Sequence, residues 1–179
     1  MNSRVACFTG RFQPFHLQHR DVVVAALSQF DRLIIGITNP DLTDLVPHEE
    51  SSHRHSDAAN PFDYQTRKEI IQASLPELES LEIIPFDLEN PESWQVPKGT
   101  TFILRIFSPW EMSKKDLFEN NGFTTYVLAK PEIKISASEV RDHLGSQNLA
   151  WQNSVSHTAI QTIELAWSNS RTKNAGVRV

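Results

Sequence analysis

Five short apolar runs punctuate the chain, at Val5–Thr9, Arg32–Thr38, Leu81–Phe86, Thr101–Phe107 and Thr124–Ala129. Their lengths and their β-branched and aromatic content predict buried strands rather than short helices. Between them the apolar positions fall at helical spacing. Leu17–Phe30 carries them at 22, 23, 26, 27 and 30, one face of a helix. Asp63–Leu75 does the same through Ile70, Ile71 and Leu75, and Pro76 stops it. Pro109–Asn121 opens with proline in its first turn and closes before Gly122. Ser136–Leu144 and Ser154–Trp167 complete the set. Strands alternating with helices predict an α/β fold, a Rossmann-like doubly wound parallel sheet with helices on both faces.

The remaining segments are polar. Asn39–Asn60, rich in Pro, Ser, Asp and His, is expected to be a mobile surface loop. Asp87–Gly99, with Pro91 and Pro97, reads as a second connection, and the tail 168–179 is expected to fray. No repeat and no internal boundary interrupts the pattern, so residues 1–179 are expected to form one domain.

Composition narrows the function classes. With 179 residues, 39% of them hydrophobic, the chain can bury one real core. A net charge of -5 and a pI near 5.8 give no electrostatic reason to expect nucleic-acid binding. Any bound anion must therefore be held by a local cluster of donors. Cys7 is the single cysteine, which removes a disulfide framework and a cysteine zinc site; inside the first apolar run it reads as a buried, inert thiol. The start MNSRVACF does not form a signal peptide, and no apolar run approaches the ~18 residues of a membrane span. A cytoplasmic protein without membrane partners is expected.

The chemistry concentrates in two stretches. GRFQPFHLQHR, residues 10 to 20, lies between the first strand and the first helix, where ligands of open parallel sheets collect. A helix N-terminus there offers free N–H groups and a partial positive charge, suited to phosphate. His16 and His19 can lie on one face of the first helical turn, Arg11 adds a forked donor, and Gly10 allows close backbone approach. A metal site lacks an evident third ligand nearby, so none is assigned. The second stretch is ISASEVRDHL, residues 135 to 144. Ser136 and Ser138 can cap a helix with Arg141 in its first turn, making a second anion site; an ordinary capped helix with a surface arginine fits the same letters.

Together, GRFQPFHxxH and ISxSEVR resemble the nucleotidyltransferase superfamily marked by a (His/Thr)-x-Gly-His motif. Within it the chain most resembles the archaeal-type nicotinamide-nucleotide (NMN) adenylyltransferases. The strand LIIGI (33 to 37) and the segment NPFDYQTR (60 to 67) agree, and the likeness runs from about Val5 to about Trp167. The resemblance implies a nucleotidyltransferase-type sheet in which His16 and His19 hold the β- and γ-phosphates of a nucleoside triphosphate. Arg141 and Ser138, with Ser136 as a helper, hold the same phosphates. Gly10, Arg11 and Phe12 match the nucleotide-binding early loop, and Arg67 matches a phosphate-binding arginine on the acceptor side. Mg2+ accompanies the triphosphate in such enzymes. The implied reaction is attack by a phosphate oxygen of the acceptor on the α-phosphorus, with pyrophosphate leaving, so positioning and charge stabilisation replace a strong base.

Two departures stand out. Gln18 replaces the motif glycine, and its side chain is expected either to reshape the nucleoside pocket or to point outward. After the fourth strand, FSPWEMSKKDLF (107 to 118) replaces the family's Gly-Asn pair; Trp110 there is placed to stack on an acceptor or to pack. The loop HEESSHRH (48 to 55) reads as solvated, with metal binding through its histidines the alternative. The leading expectation is transfer of AMP from ATP to NMN. Alternatives are a cytidylyltransferase using CTP and a small phosphate or phosphonate acceptor, and a nucleotide-binding sensor that has lost catalysis. A homo-oligomer is compatible with each.

Overall fold

A computed structural model describes residues 3–43, 56–78 and 81–175. The HEESSHRH loop and most of the polar loop around it lie outside the described residues. The strands are β1 (Val5–Gly10), β2 (Arg32–Thr38), β3 (Glu82–Phe86), β4 (Thr101–Leu104) and β5 (Thr124–Val127). The helices are α1 (Leu17–Leu27), α2 (Tyr64–Ser74), α3 (Pro109–Asn120), α4 (Ala137–Gly145) and α5 (Ile160–Ala175).

All four strand pairings are parallel, in the order β3-β2-β1-β4-β5. The chain moves outward from β1 through β2 to β3, then returns to the other side of β1 with β4. That reversal puts a topological switch point between β1 and β4, where the ends of adjacent strands diverge and leave a crevice. Alternation along the strands divides the core into two layers. Ala6, Phe8, Leu33 and Ile35 face the layer built with Val22 and Val23 of α1, Ile70 and Ile71 of α2, and Ile163 of α5. Val5, Cys7 and Ile34 face the layer built with Phe102, Phe118 of α3 and Trp94. Helices thus cover both faces, as the sequence pattern predicts. Cys7 is fully buried, and that burial raises its thiol pKa.

Several boundaries differ from expectation. β4 ends at Leu104 instead of Phe107, so Arg105 to Phe107 leave the sheet, and Arg105 and Phe107 enter the wall of the crevice. The last helix starts at Ile160, preceded by 3-10 turns at Leu149–Ser154 and His157–Ala159. It continues to Ala175, so residues 168–175 are part of the helix. Ile163 anchors it in the core, and Ser168 and Thr172 hydroxyls donate back to the carbonyls of Glu164 and Ser168. No helix among the described residues is long and apolar enough to cross a membrane.

Candidate active site

The crevice opens into a cavity of about 440 Å³ at the carboxyl ends of β1, β2 and β4. The start of α1 forms one wall and the start of α4 another. Gly10, Arg11, Phe12, Gln18, Ser136 and Ser138 all line it, with His16, His19 and Trp110. The two motifs, about 120 residues apart in sequence, therefore meet across one space.

His16 is the N-cap of α1, with its carbonyl accepting from His19 N (2.9 Å) and Arg20 N (3.1 Å). Its amide donates to Nδ1 of His19 at 3.1 Å. An Nδ1 that accepts carries no proton, so neutral His19 bears its hydrogen on Nε2 and is a donor there. The two rings stack at 3.6 Å between centroids, tilted by 17°. Phe12 meets His19 edge-on at 5.0 Å, and Phe8 and Phe15 close the surround. Gly10 is required by this packing: a Cβ there would lie 2.7 Å from the Phe12 ring. Phe12 itself is only 2% exposed, and its ring supports His19 from the cavity wall.

Both imidazoles are held neutral. Burial pushes His16 down to about 3, with the charges of Lys134 and Arg105 adding to the effect. Burial also lowers His19 well below the usual histidine range, helped by His16, Arg105 and Lys114. Neutral imidazoles can give hydrogen bonds to phosphate oxygens without taking a proton from solvent near neutral pH.

At the facing wall, Ser136 is the N-cap of α4 by backbone geometry, yet its hydroxyl makes no capping bond. The capping expected of Ser136 is absent, which leaves first-turn N–H groups of α4 for a ligand. Arg141 is 8% exposed and is not part of the cavity wall. Its Nη1 donates to the Gln13 carbonyl (2.7 Å) and its Nη2 to Ser138 Oγ (3.1 Å). Arg141 thus acts as a strut that ties α4 to the loop before α1. Gln13 was not singled out from the sequence; its amide pairs with the backbone of Phe62 at 2.8 and 3.0 Å.

Arg67 also requires correction. It is wholly buried, and burial lowers its pKa to about 10. Nη1 donates to the carbonyls of Arg11 (3.1 Å) and Thr38 (2.7 Å), Nη2 to that of Asn39 (2.7 Å) and Nε to that of Asp63 (3.2 Å). Such a guanidinium holds the ends of β1 and β2 together and has no surface for an acceptor.

Gln18 neither points outward nor stays free. Its Nε2 donates to the Ile133 carbonyl at 2.5 Å, and its Oε1 accepts from Ile135 N at 2.9 Å. The carboxamide therefore clips the segment leading into α4 onto the start of α1. Three cations missed from the sequence complete the wall: Arg105 after β4, Lys114 of α3, which donates to the Thr9 carbonyl at 2.8 Å, and Lys134, which sits 4.6 Å over the Phe107 ring. Trp110 faces the cavity near the start of α3 while packing against the Phe102 layer.

Among the described residues, four buried side-chain polar atoms lack a partner: Thr9 Oγ1, His16 Nδ1, Arg105 Nε and Trp167 Nε1. Three of these residues line this cavity. Unpaired buried polar groups are rare and costly, so their concentration here marks the place where a polar ligand completes the structure.

Comparison with known proteins agrees with this geometry. The family model described as cytidylyltransferase-like matches residues 7–143. A phosphonoformate cytidylyltransferase of Streptomyces viridochromogenes is 28% identical over 153 residues, covering 82% of this chain and 83% of that protein. A phosphopantetheine adenylyltransferase of Streptococcus suis is also 28% identical, covering 80% and 85%. A nicotinamide-nucleotide adenylyltransferase of Archaeoglobus fulgidus is 59% identical over only 32 residues, 18% of each chain. Among solved structures, a bifunctional NMN adenylyltransferase/ADP ribose pyrophosphatase from Francisella tularensis, complexed with AMP and a manganese ion, superposes with a TM-score of 0.64 at 16% identity. The superposition covers 98% of this chain but spans only 54% of that one. With the family model covering both halves of the cavity, the chain belongs to the cytidylyltransferase-like family of nucleotidyltransferases.

Proposed function

We propose that the protein transfers a nucleoside monophosphate from a nucleoside triphosphate to a small phosphate- or phosphonate-bearing acceptor, releasing pyrophosphate. The observation that carries this reading is the paired anion site: two neutral imidazoles at the start of α1 facing free N–H groups at the start of α4. In it, Nε2 of His19 and the His16 ring donate to the β- and γ-phosphates, with Ser136, Ser138 and the α4 N-terminus opposite. Arg141 positions Ser138, and Arg67 fixes the loop that carries Arg11. The reacting phosphates are already ionised, so alignment and stabilisation of the leaving pyrophosphate supply the rate.

Among nucleotides, CTP is favoured by Gln18. A side chain clipped across the space that the family glycine leaves open reduces the room for a base, which suits a pyrimidine better than a purine. The broad match to a phosphonoformate cytidylyltransferase supports that reading, while the equally broad match to a phosphopantetheine adenylyltransferase supports ATP. ATP with NMN is the second reading, supported by the short stretch of high identity to the archaeal adenylyltransferase. No cluster of three or more potential metal ligands exists among the described residues. Mg2+ is expected to arrive with the triphosphate, where it would neutralise charge. The test is pyrophosphate release from each of ATP, CTP, GTP and UTP with magnesium and either NMN or phosphonoformate. Release with CTP and phosphonoformate supports the first reading, and release with ATP and NMN the second. No release with any pair counts against nucleotidyl transfer to either acceptor.

A further inference from the structure

Arg105 is the one guanidinium in the cavity that no feature of the sequence brought forward. It follows β4 directly, and the register Phe8–Ile103 carries it, two residues on, to the level of Gly10. There it stands at the switch point, beside the histidine pair: its charge contributes to lowering both imidazoles. One arm is fixed, Nη1 donating to the Gln18 carbonyl at 3.1 Å. Its Nε is buried without an acceptor, and no ion pair engages it among the described residues.

Three of the four carboxylates that share the cavity wall accept hydrogen bonds elsewhere. Glu111 accepts from Ser108 at the start of α3, Asp41 from Thr43, and Asp87 from the amide of Glu89. A desolvated, unpaired donor on a fixed cation is unfavourable in the free protein. The fork geometry of a guanidinium matches phosphoryl oxygens, which would satisfy Nε and the free arm together. We propose that Arg105 is a further anion-binding residue of this pocket, receiving phosphoryl oxygens of a substrate. The proposal rests on the nucleotidyl-transfer reading above for the source of those oxygens, which is either the triphosphate or the acceptor.

Arg105→Leu and Arg105→Lys test it by thermal melting, calorimetric binding of inorganic tripolyphosphate, and separate KM values for triphosphate and acceptor. Leucine suits the neighbouring Ile103 and Leu104, so the free Arg105→Leu protein is expected to melt at or above the wild-type temperature. Its tripolyphosphate affinity or its acceptor KM is expected to worsen by about 10- to 100-fold, the value of hydrogen bonds to a charged group. Arg105→Lys should recover only part of the loss. Weakened tripolyphosphate binding assigns the oxygens to the nucleotide; intact tripolyphosphate binding with a raised acceptor KM assigns them to the acceptor. Both quantities within twofold of wild type would overturn the proposal, and so would a loss of binding accompanied by a lowered melting temperature. Wild-type protein that binds tripolyphosphate but releases no pyrophosphate counts against the proposed function while leaving the Arg105 comparison intact.

Discussion

His19 joins two tasks that the sequence shows as one letter. Its Nδ1 accepts the His16 amide at 3.1 Å, and that bond leaves Nε2 as the donor. His19→Ala is therefore expected to lower turnover by about 100- to 1000-fold, the usual effect of removing one preorganised donor. It should also cost about 1 kcal/mol of stability, because the His16 amide loses its acceptor. Steady-state kinetics with a thermal melt checks both, and near-normal turnover excludes the role. The neutrality of His16 makes a separate prediction. With its folded pKa near 3 and an unfolded value near 6.5, the unfolded chain binds the extra proton throughout that window. Stability is thus full above pH 6.5 and falls as pH drops toward 3, by about 3 kcal/mol at pH 4 from this group. Urea unfolding of wild type and His16→Asn at pH 4 and 7 measures it; an equal loss in both excludes His16 as the cause. For Gln18, removing the clip opens space beside the helix start. Gln18→Gly should raise the ATP-to-CTP ratio of kcat/KM, with one contact worth about 10- to 200-fold. An unchanged ratio would reject the reading of Gln18 as a base selector.

The strands were legible because doubly covered parallel strands are continuous apolar runs, and the helices because their buried positions recur at helical spacing. Sequence and structure part where apolar or polar character misreports the neighbourhood. Ile106 and Phe107 extend the apolar run of β4, yet the chain has already turned into the cavity wall. The polar end of α5 is helical because the element is anchored earlier, at Ile163. Arginines were the least legible. Arg67 and Arg141 look like surface phosphate binders in sequence, but Arg67 is sunk among four backbone carbonyls and Arg141 reaches the Gln13 carbonyl, partners that only folding brings near. Arg141 joins α4 to the Gln13 loop and to Ser138 with two arms at once. A lysine has one centre of charge and no fork, so Arg141→Lys is expected to recover little of the nucleotide affinity lost in Arg141→Ala. Wild-type affinity in the lysine variant would show that the strut does not organise the site.

The molecule as a whole brings two helix starts together over a switch point, and the motif residues already indicate that meeting. What the sequence hides is the remainder of the wall. Gln18 finds Ile133 and Ile135 across more than a hundred residues, and Arg105, Lys114 and Lys134 resemble solvated cations until the strands place them. The central claim is cleavage between the α- and β-phosphates with the nucleotide retained on the acceptor. CTP or ATP labelled at the α-phosphorus, incubated with magnesium and phosphonoformate or NMN, tests it most directly. The account predicts that label moves into a new acceptor-bound product in equal amount to pyrophosphate, and that His19→Ala abolishes most of this transfer. Label recovered only as nucleoside diphosphate with orthophosphate, or transfer undiminished in His19→Ala, would contradict it.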